Sequence, residues 1–394
     1  MKPTVAFWQT DVTVAKDIAG ASRFFVDIFR QYHLRQKKEF DLLFLTDSKS
    51  AHDLDKSEAY KHCRKNVLAL HSPNNRFNRL AGNLDLLYKI IFKRIRLIHI
   101  CQYYHVTHYE RLRFIQRLPA AIRPKIVINW IHCNFPYEYS DPSHYNYTDF
   151  HTRFDPAFNN VRIDGIFSWY KLTKVFMEER RLVKSEPYIY PIETYCCNTE
   201  RFKPDPVKEN LIVWAARLHL QKRPEMYLEA IHWLRQYHAD KIKGWRFLFY
   251  GNGPHREQFE KRINELNLAN FIEFRSDVSD MSKVFNRSRC FVSTQDYENF
   301  TSLSMNEALS SGNAIISRNV GQTDLYVKDG GNGFLAKEDT SVGIGDAILR
   351  FISSSENDRT RMQEHSLRLS NEVHTPANFM KELDNFWEHL LNKK

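Results

Sequence analysis

Short apolar runs alternate with helical stretches along most of this 394-residue chain, and no other feature restricts the fold as much. In the first half, residues 4–8 read as an opening strand and 19–34 as a helix. Further strands are expected at 40–46, 67–70, 97–101, 125–131 and 165–169, with a basic helical stretch at 84–96 running straight into one of them. Around residues 196–210 (CCNTERFKPDPVKEN) two prolines and mixed charges interrupt the pattern and suggest a linker. The alternation then resumes, with strands expected at 211–216, 245–250, 271–274, 290–294 and 314–317, helices between them, and a mostly helical last fifty residues. The expectation is an α/β protein of two facing, doubly wound Rossmann-like domains, 1–197 and 198–375. A C-terminal helix at 376–394 packs back towards the first. Ligands of such sheets sit at the carboxyl ends of the strands, so facing domains imply a cleft.

Composition narrows the class. With 42% hydrophobic and 26% charged residues the chain is neither disordered nor fibrous. No apolar run nears the roughly 20 residues of a membrane span, and the first residues lack a leader's apolar core. A cytoplasmic protein is expected, peripheral at the inner face of a membrane. The six cysteines form no C-x-x-C pair and read as reduced thiols. Charge is uneven: residues 1–200 hold 30 Lys/Arg and 21 Asp/Glu, whereas 201–394 hold 27 and 26. A basic half beside a neutral one suggests that the first half faces something anionic, although a merely solubilising surface would look alike.

Three segments carry candidate chemistry. In LIVWAARLHLQKRPE a strand ends at Arg217, and Lys222 follows just before a helix that opens near Pro224. A guanidinium and an ammonium beside a helix N-terminus suit an anion, though two solvated loop charges read equally well. In LFYGNGP, Gly251, Asn252 and Gly253 permit a tight turn and close backbone approach, and an ordinary strand-to-helix turn accounts for them too. In STQDYENFTSLSMNEALSSG a strand empties into a loop with Glu298 and Asn299. A helix then starts near Thr301, Ser302 and Leu303, its free amides fit to face a phosphate, and Glu307 on the same helix could accept hydrogen bonds from a ribose.

Taken in order, ARLHLQKRPEMYLEAI, YGNGP, ENFTSLSMNEALSSGNAIIS and VGQTDLYVKDGGNGFL resemble the carboxyl-terminal half of retaining, family-4 glycosyltransferases of the GT-B fold. The likeness spans about residues 205–340 and extends more loosely to the first half. It implies a diphosphate site at Arg217 and Lys222 that needs no metal or other cofactor, the nucleotide-sugar being a substrate. It implies phosphate-facing amides at Thr301 to Leu303 and a ribose contact at Glu307, the second glutamate of a Glu-x7-Glu motif. Gly20, in DIAGASRFF, resembles the glycine loop of the first domain, with Ala19 in place of a second glycine, and His132 falls where the family has a histidine beside the transferred sugar. One departure matters: eight residues before Glu307 stands Asn299, while Glu298 is nine away. Asn299 is favoured as the sugar contact, because an extra residue would have to be absorbed beside a tightly specified helix start.

The resemblance assigns the acceptor to the basic first half. The stretch LLYKIIFKRIR (86–96) suits an anionic membrane face and a lipid-linked acceptor, or equally a core helix whose charges reach water. Aromatic residues at 103–109 and 137–147 could stack on sugar rings. The expected function is retaining transfer of a sugar from a nucleotide donor to a glycan or lipid-linked acceptor in cell-surface polysaccharide synthesis. Transfer to modified DNA bases rests only on the basic half and would bring steep salt dependence. A non-catalytic sugar-binding protein rests on Asn299.

Overall fold

A computed structural model describes residues 2–10, 12, 21–71, 76–101, 106–131, 135–143, 148, 151, 160–276 and 280–392. The chain divides into two compact units, residues 1–192 with 379–394 and residues 193–378.

The first unit begins β1 (Thr4–Trp8), α1 (Ala21–Leu34), β2 (Asp41–Asp47), α2 (Ser48–Lys56), β3 (Val67–Leu70) and α3 (Arg76–Phe92). It continues β4 (Ile95–Ile100), α4 (Val106–Gln116), β5 (Lys125–Trp130), α5 (Phe135–Ser140), β6 (Gly165–Ser168), α6 (Lys171–Arg180) and β7 (Tyr188–Pro191). The seven strands form one parallel sheet in the order 3-2-1-4-5-6-7. Strands covered on both faces read as unbroken apolar runs rather than alternating ones, and β1 (TVAFW) is buried throughout.

The second unit holds β8 (Glu209–Ala215), α7 (Pro224–Tyr237), β9 (Arg246–Tyr250), α8 (Arg256–Glu265), β10 (Ile272–Arg275), α9 (Ser282–Phe285) and β11 (Ser288–Ser293). It ends with α10 (Leu303–Ser310), β12 (Ala314–Ser317), β13 (Gly333–Leu335), α11 (Ser341–Ser353) and α12 (Glu356–Arg368). Its parallel sheet runs 10-9-8-11-12-13. Both sheets are therefore doubly wound, with strand order reversing at β1/β4 and at β8/β11.

The last helix, α13 (Pro376–Asn392), joins the first unit from Phe379 onward. Trp387 is fully buried there, its indole N–H donating to His99 Nδ1 at 3.1 Å, and Asp384 accepts from Tyr32 at 3.1 Å and from Arg35 at 2.7 Å.

The stretch expected as a linker, 196–210, is packed onto the second unit instead. Ser310 Oγ donates to the Phe202 carbonyl at 2.6 Å, and Asn306 Nδ2 to the Tyr195 carbonyl at 2.9 Å. Within it Cys196, Cys197 and Phe202 are buried, while residues 203–207 are exposed, so its first part is packed and its proline-containing part lies at the surface. No described helix is long and apolar enough to cross a membrane.

Candidate functional site

Three loops leave the carboxyl ends of β8, β9 and β11, around the β8/β11 switch point, and they are lashed to one another. Leu218 N–H donates to the Asn252 carbonyl at 2.9 Å, and Asp296 N–H to the Gln221 carbonyl at 2.9 Å. Thr294 Oγ1 donates to the Lys222 carbonyl at 2.7 Å and accepts from the Trp214 indole N–H at 2.9 Å. Gly251 and Gly253 make this approach possible: a Cβ on either would lie less than 3.0 Å from the carbonyl oxygen of Ala216 or Leu218 respectively. Asn252, between them, is exposed and caps its own turn, Oδ1 accepting from Gly253 N–H at 2.9 Å.

Arg217 stands at the outlet of β8 with its guanidinium exposed and bonded to none of the described residues. Lys222 ends a 3-10 turn (Leu220–Lys222), and its ammonium donates to Gln295 Oε1. Arg223, left-handed at φ 43°, then redirects the chain into α7, whose first residue is Pro224. Beside this edge, Arg223 and the nearly buried Arg318 share Asp296 and Asp339. Arg318 also donates to the Gln295 carbonyl at 2.8 Å and the Asp296 carbonyl at 3.1 Å, which fixes the course of the 295–296 backbone.

In the loop after β11, both Glu298 and Asn299 are bonded to the chain's own loops. Asn299 is fully buried, and the protein occupies both ends of its amide. Oδ1 accepts from Ser293 Oγ at 2.7 Å and Gln295 Nε2 at 3.2 Å; Nδ2 donates to Ser317 Oγ at 2.7 Å, Thr323 Oγ1 at 2.8 Å and the Arg318 carbonyl at 3.0 Å. A side chain so engaged has nothing left for a sugar, so the expectation that favoured Asn299 is corrected: it pins the 293–299 loop to the 317–323 loop. Glu298 reaches the latter loop too, accepting at Oε1 from Phe300 N–H at 2.9 Å and Gln322 N–H at 2.7 Å. Gly321, at φ +54°, leaves room for that carboxyl, since a Cβ there would collide with it. Burial pushes the Glu298 carboxyl up to about 7 despite the amides that favour its charged form. Thr301 turns left-handed at φ 62°, immediately before the helix cap.

That cap is Ser302, whose Oγ accepts from Met305 N–H at 3.4 Å. The amides of Leu303 and Ser304 donate to none of the described residues, which leaves an electropositive helix start at the sheet's carboxyl edge. Gly20 and His132 lie outside the described residues. Among the described residues, no group of three or more His, Cys, Asp or Glu side chains is placed to hold a metal ion.

Residues 198–368, nearly the whole second unit, match the family model "Glycosyl transferases group 1". No curated protein matches the chain. Among solved structures, the chain resembles a sucrose-phosphate synthase from Thermosynechococcus elongatus (15% identity, TM-score 0.71) and a glycosyltransferase from Rickettsia africae ESF-5 (12%, 0.68), each covering 100% of both chains. It also resembles Anabaena Alr3699/HepE, solved in complex with UDP and glucose (13%, 0.68), which covers 98% of this chain and 99% of that one. At these identities the likeness establishes the fold, which is GT-B.

Within the second unit, Glu307 lies one turn along α10. Its half-buried carboxyl has no hydrogen bond to a described residue, and burial pushes it up to about 8, with Arg201 pulling the other way and Asp280 adding to the rise. An unpartnered acid inside a domain is costly unless a ligand completes it, and such perturbed groups concentrate at functional sites. Sequence reasoning missed Gln295, Arg318 and Gly321. Only their neighbours carried a signal, because what these three do depends on which loops the sheet order makes adjacent.

Proposed function

We propose that the protein is a retaining, metal-independent glycosyltransferase that takes its sugar from a nucleotide diphosphate donor. One observation carries the reading: Arg217, Lys222 and the open amides of α10 stand along one carboxyl sheet edge, beside the β8/β11 switch point, in a unit that matches the model of the glycosyl transferases group 1. UDP is the first donor to test, since HepE was solved with UDP-glucose and the pneumococcal O-GlcNAc transferase GtfA with UDP and GlcNAc.

In this reading the bond between the sugar's anomeric carbon and the diphosphate oxygen breaks, and the electron pair leaves with the phosphate. Arg217 grips the departing charge through two donors, Lys222 adds a point charge once Gln295 yields it, and the helix start adds fixed dipoles. The acceptor hydroxyl attacks from the face the diphosphate vacates, its proton passing to the leaving phosphate oxygen, so the configuration is retained. Glu307 holds the ribose hydroxyls and Glu298 orders the loop beneath the sugar. The burial and internal hydrogen bonds of Asn299 support a structural role for it and weigh against a non-catalytic reading built on it. The acceptor is a glycan or lipid-linked saccharide of the cell surface, met at a membrane by the basic first unit.

The test is donor hydrolysis across UDP-, GDP-, ADP- and CMP-sugars with a chelator present. Release of one nucleotide by the wild type and loss of about 100-fold in Arg217→Ala supports the reading. No turnover of any donor, or equal turnover in the variant, counts against it.

A further inference from the structure

Five of the large apolar side chains that the protein leaves in water lie on one helix. On α3, Leu80, Leu84, Tyr88, Ile91 and Phe92 are 60, 55, 57, 46 and 67% exposed. Their spacing of four, four, three and one residues places them along a single face. The opposite face is the one the core needs, with Leu86 and Ile90 buried in the first unit. Tyr88 and Phe92 touch, their ring centroids 4.2 Å apart, so the outer stripe is a continuous apolar surface. Core packing requires none of it.

The surrounding charge is one-sided. Between residues 76 and 96 there are six Lys or Arg and one acid, Asp85. Asp85 is bonded by Lys89 and His71, the latter at 3.3 Å, and so presents no free negative charge at the stripe. Lys93, Arg94 and Arg96 follow the stripe directly and are exposed. An apolar stripe flanked by cations fits the boundary of an anionic bilayer: the side chains enter the acyl region and the cations meet lipid phosphates. A second copy of the same helix would instead bring like charges together.

We propose that α3 is a membrane-docking helix, lying in the plane of an anionic bilayer with Leu80, Leu84, Tyr88, Ile91 and Phe92 inserted and Lys93 and Arg96 on the headgroups. This deepens the membrane-facing part of the function proposed above, but it rests on α3 itself. Because its test uses no donor, a failure here is distinguishable from a failure of the glycosyltransferase reading.

The experiment is flotation of the full chain with phosphatidylcholine vesicles, with and without about 30 mol% phosphatidylglycerol, an anionic fraction that gives a strong surface potential. Two variants are compared, Leu84→Ser/Tyr88→Ser/Phe92→Ser and Lys93→Glu/Arg96→Glu, each checked by circular dichroism and thermal unfolding. The proposal expects binding to anionic vesicles, at least about tenfold weaker binding to neutral ones, and a loss of about tenfold or more in either variant with folding intact. Failure of the wild type to bind anionic vesicles would overturn it, as would full binding by the folded apolar variant. A wild-type dimer that this variant converts to monomer would also overturn it, by assigning the stripe to a second copy.

Discussion

Replacing Asn299 separates a pin from a sugar contact. The amide makes five hydrogen bonds and is fully buried. In Asn299→Ala the Ser293 hydroxyl can rotate towards another acceptor, but Gln295 Nε2 loses a fixed partner, Ser317 Oγ and Thr323 Oγ1 lose the donor they accept from, and a small cavity opens. At about 1 kcal/mol for each bond lost without a substitute, plus the cavity, the cost is about 2–4 kcal/mol. Asn299→Asp keeps the shape but turns an oxygen towards the Arg318 carbonyl. The nearby hydroxyls are already committed, Ser317 Oγ donating to the Arg318 carbonyl at 2.7 Å and Thr323 Oγ1 to the Val320 carbonyl. A buried, poorly paired charge costs more than the truncation, about 3–5 kcal/mol. Urea unfolding read by hydrogen exchange on peptides from 209–378 measures both. If Asn299→Ala unfolds within about 0.5 kcal/mol of wild type while donor turnover collapses, the residue touches the sugar and the reasoning is refuted.

Three further outcomes follow from particular contacts. Gly253→Ala drives a Cβ against the Leu218 carbonyl, and should cost about 1–3 kcal/mol while weakening nucleotide binding by displacing Arg217; unchanged titration calorimetry and unchanged unfolding would contradict the loop packing. Glu307→Gln should leave the free protein at least as stable as wild type at pH 8, because the folded carboxyl is held near 8 and the native state loses stability as pH rises from the ordinary glutamate range through that value; nucleotide binding should fall about tenfold, and a large loss of stability with unchanged binding would place the residue in structure alone. His99, pushed down to about 3 by burial, stays neutral in the fold while the unfolded chain protonates near 6.5, so stability present above pH 6.5 drains away as pH falls below it. The slope is up to about 1.4 kcal/mol per pH unit, and His99→Gln should flatten it in the first unit; an unchanged slope would refute the assignment.

Much of the fold is legible because parallel strands buried on both faces leave unbroken apolar runs. The runs at 4–8 and 67–70 coincide with β1 and β3, and most others fall within two residues of the strands found. The misses have physical causes. β7 is an edge strand rich in tyrosine and proline, β13 has three residues, and α2 is a largely polar helix whose register is set by its Asp47 cap. The division between units falls at 192/193 rather than 197/198, because Cys196 and Cys197, which open the expected linker, are buried and belong to the second unit. The places of Arg217 and Lys222 after a strand, and of Ser302 and Glu307 at a helix cap and along that helix, were readable from the sequence. Asn299 was not, since an amide's role is decided by the loops it meets, here 317–323, and sequence spacing cannot show that adjacency.

The central claim is that the carboxyl edge around β8, β9 and β11 holds the nucleotide diphosphate. Hydrogen exchange with and without UDP, on wild type and Arg217→Ala, tests it most directly. The account predicts slowed exchange at 216–223, at 250–254 and at the start of α10, all absent in Arg217→Ala. Slowed exchange elsewhere in the chain, or the same pattern in the variant, would contradict it.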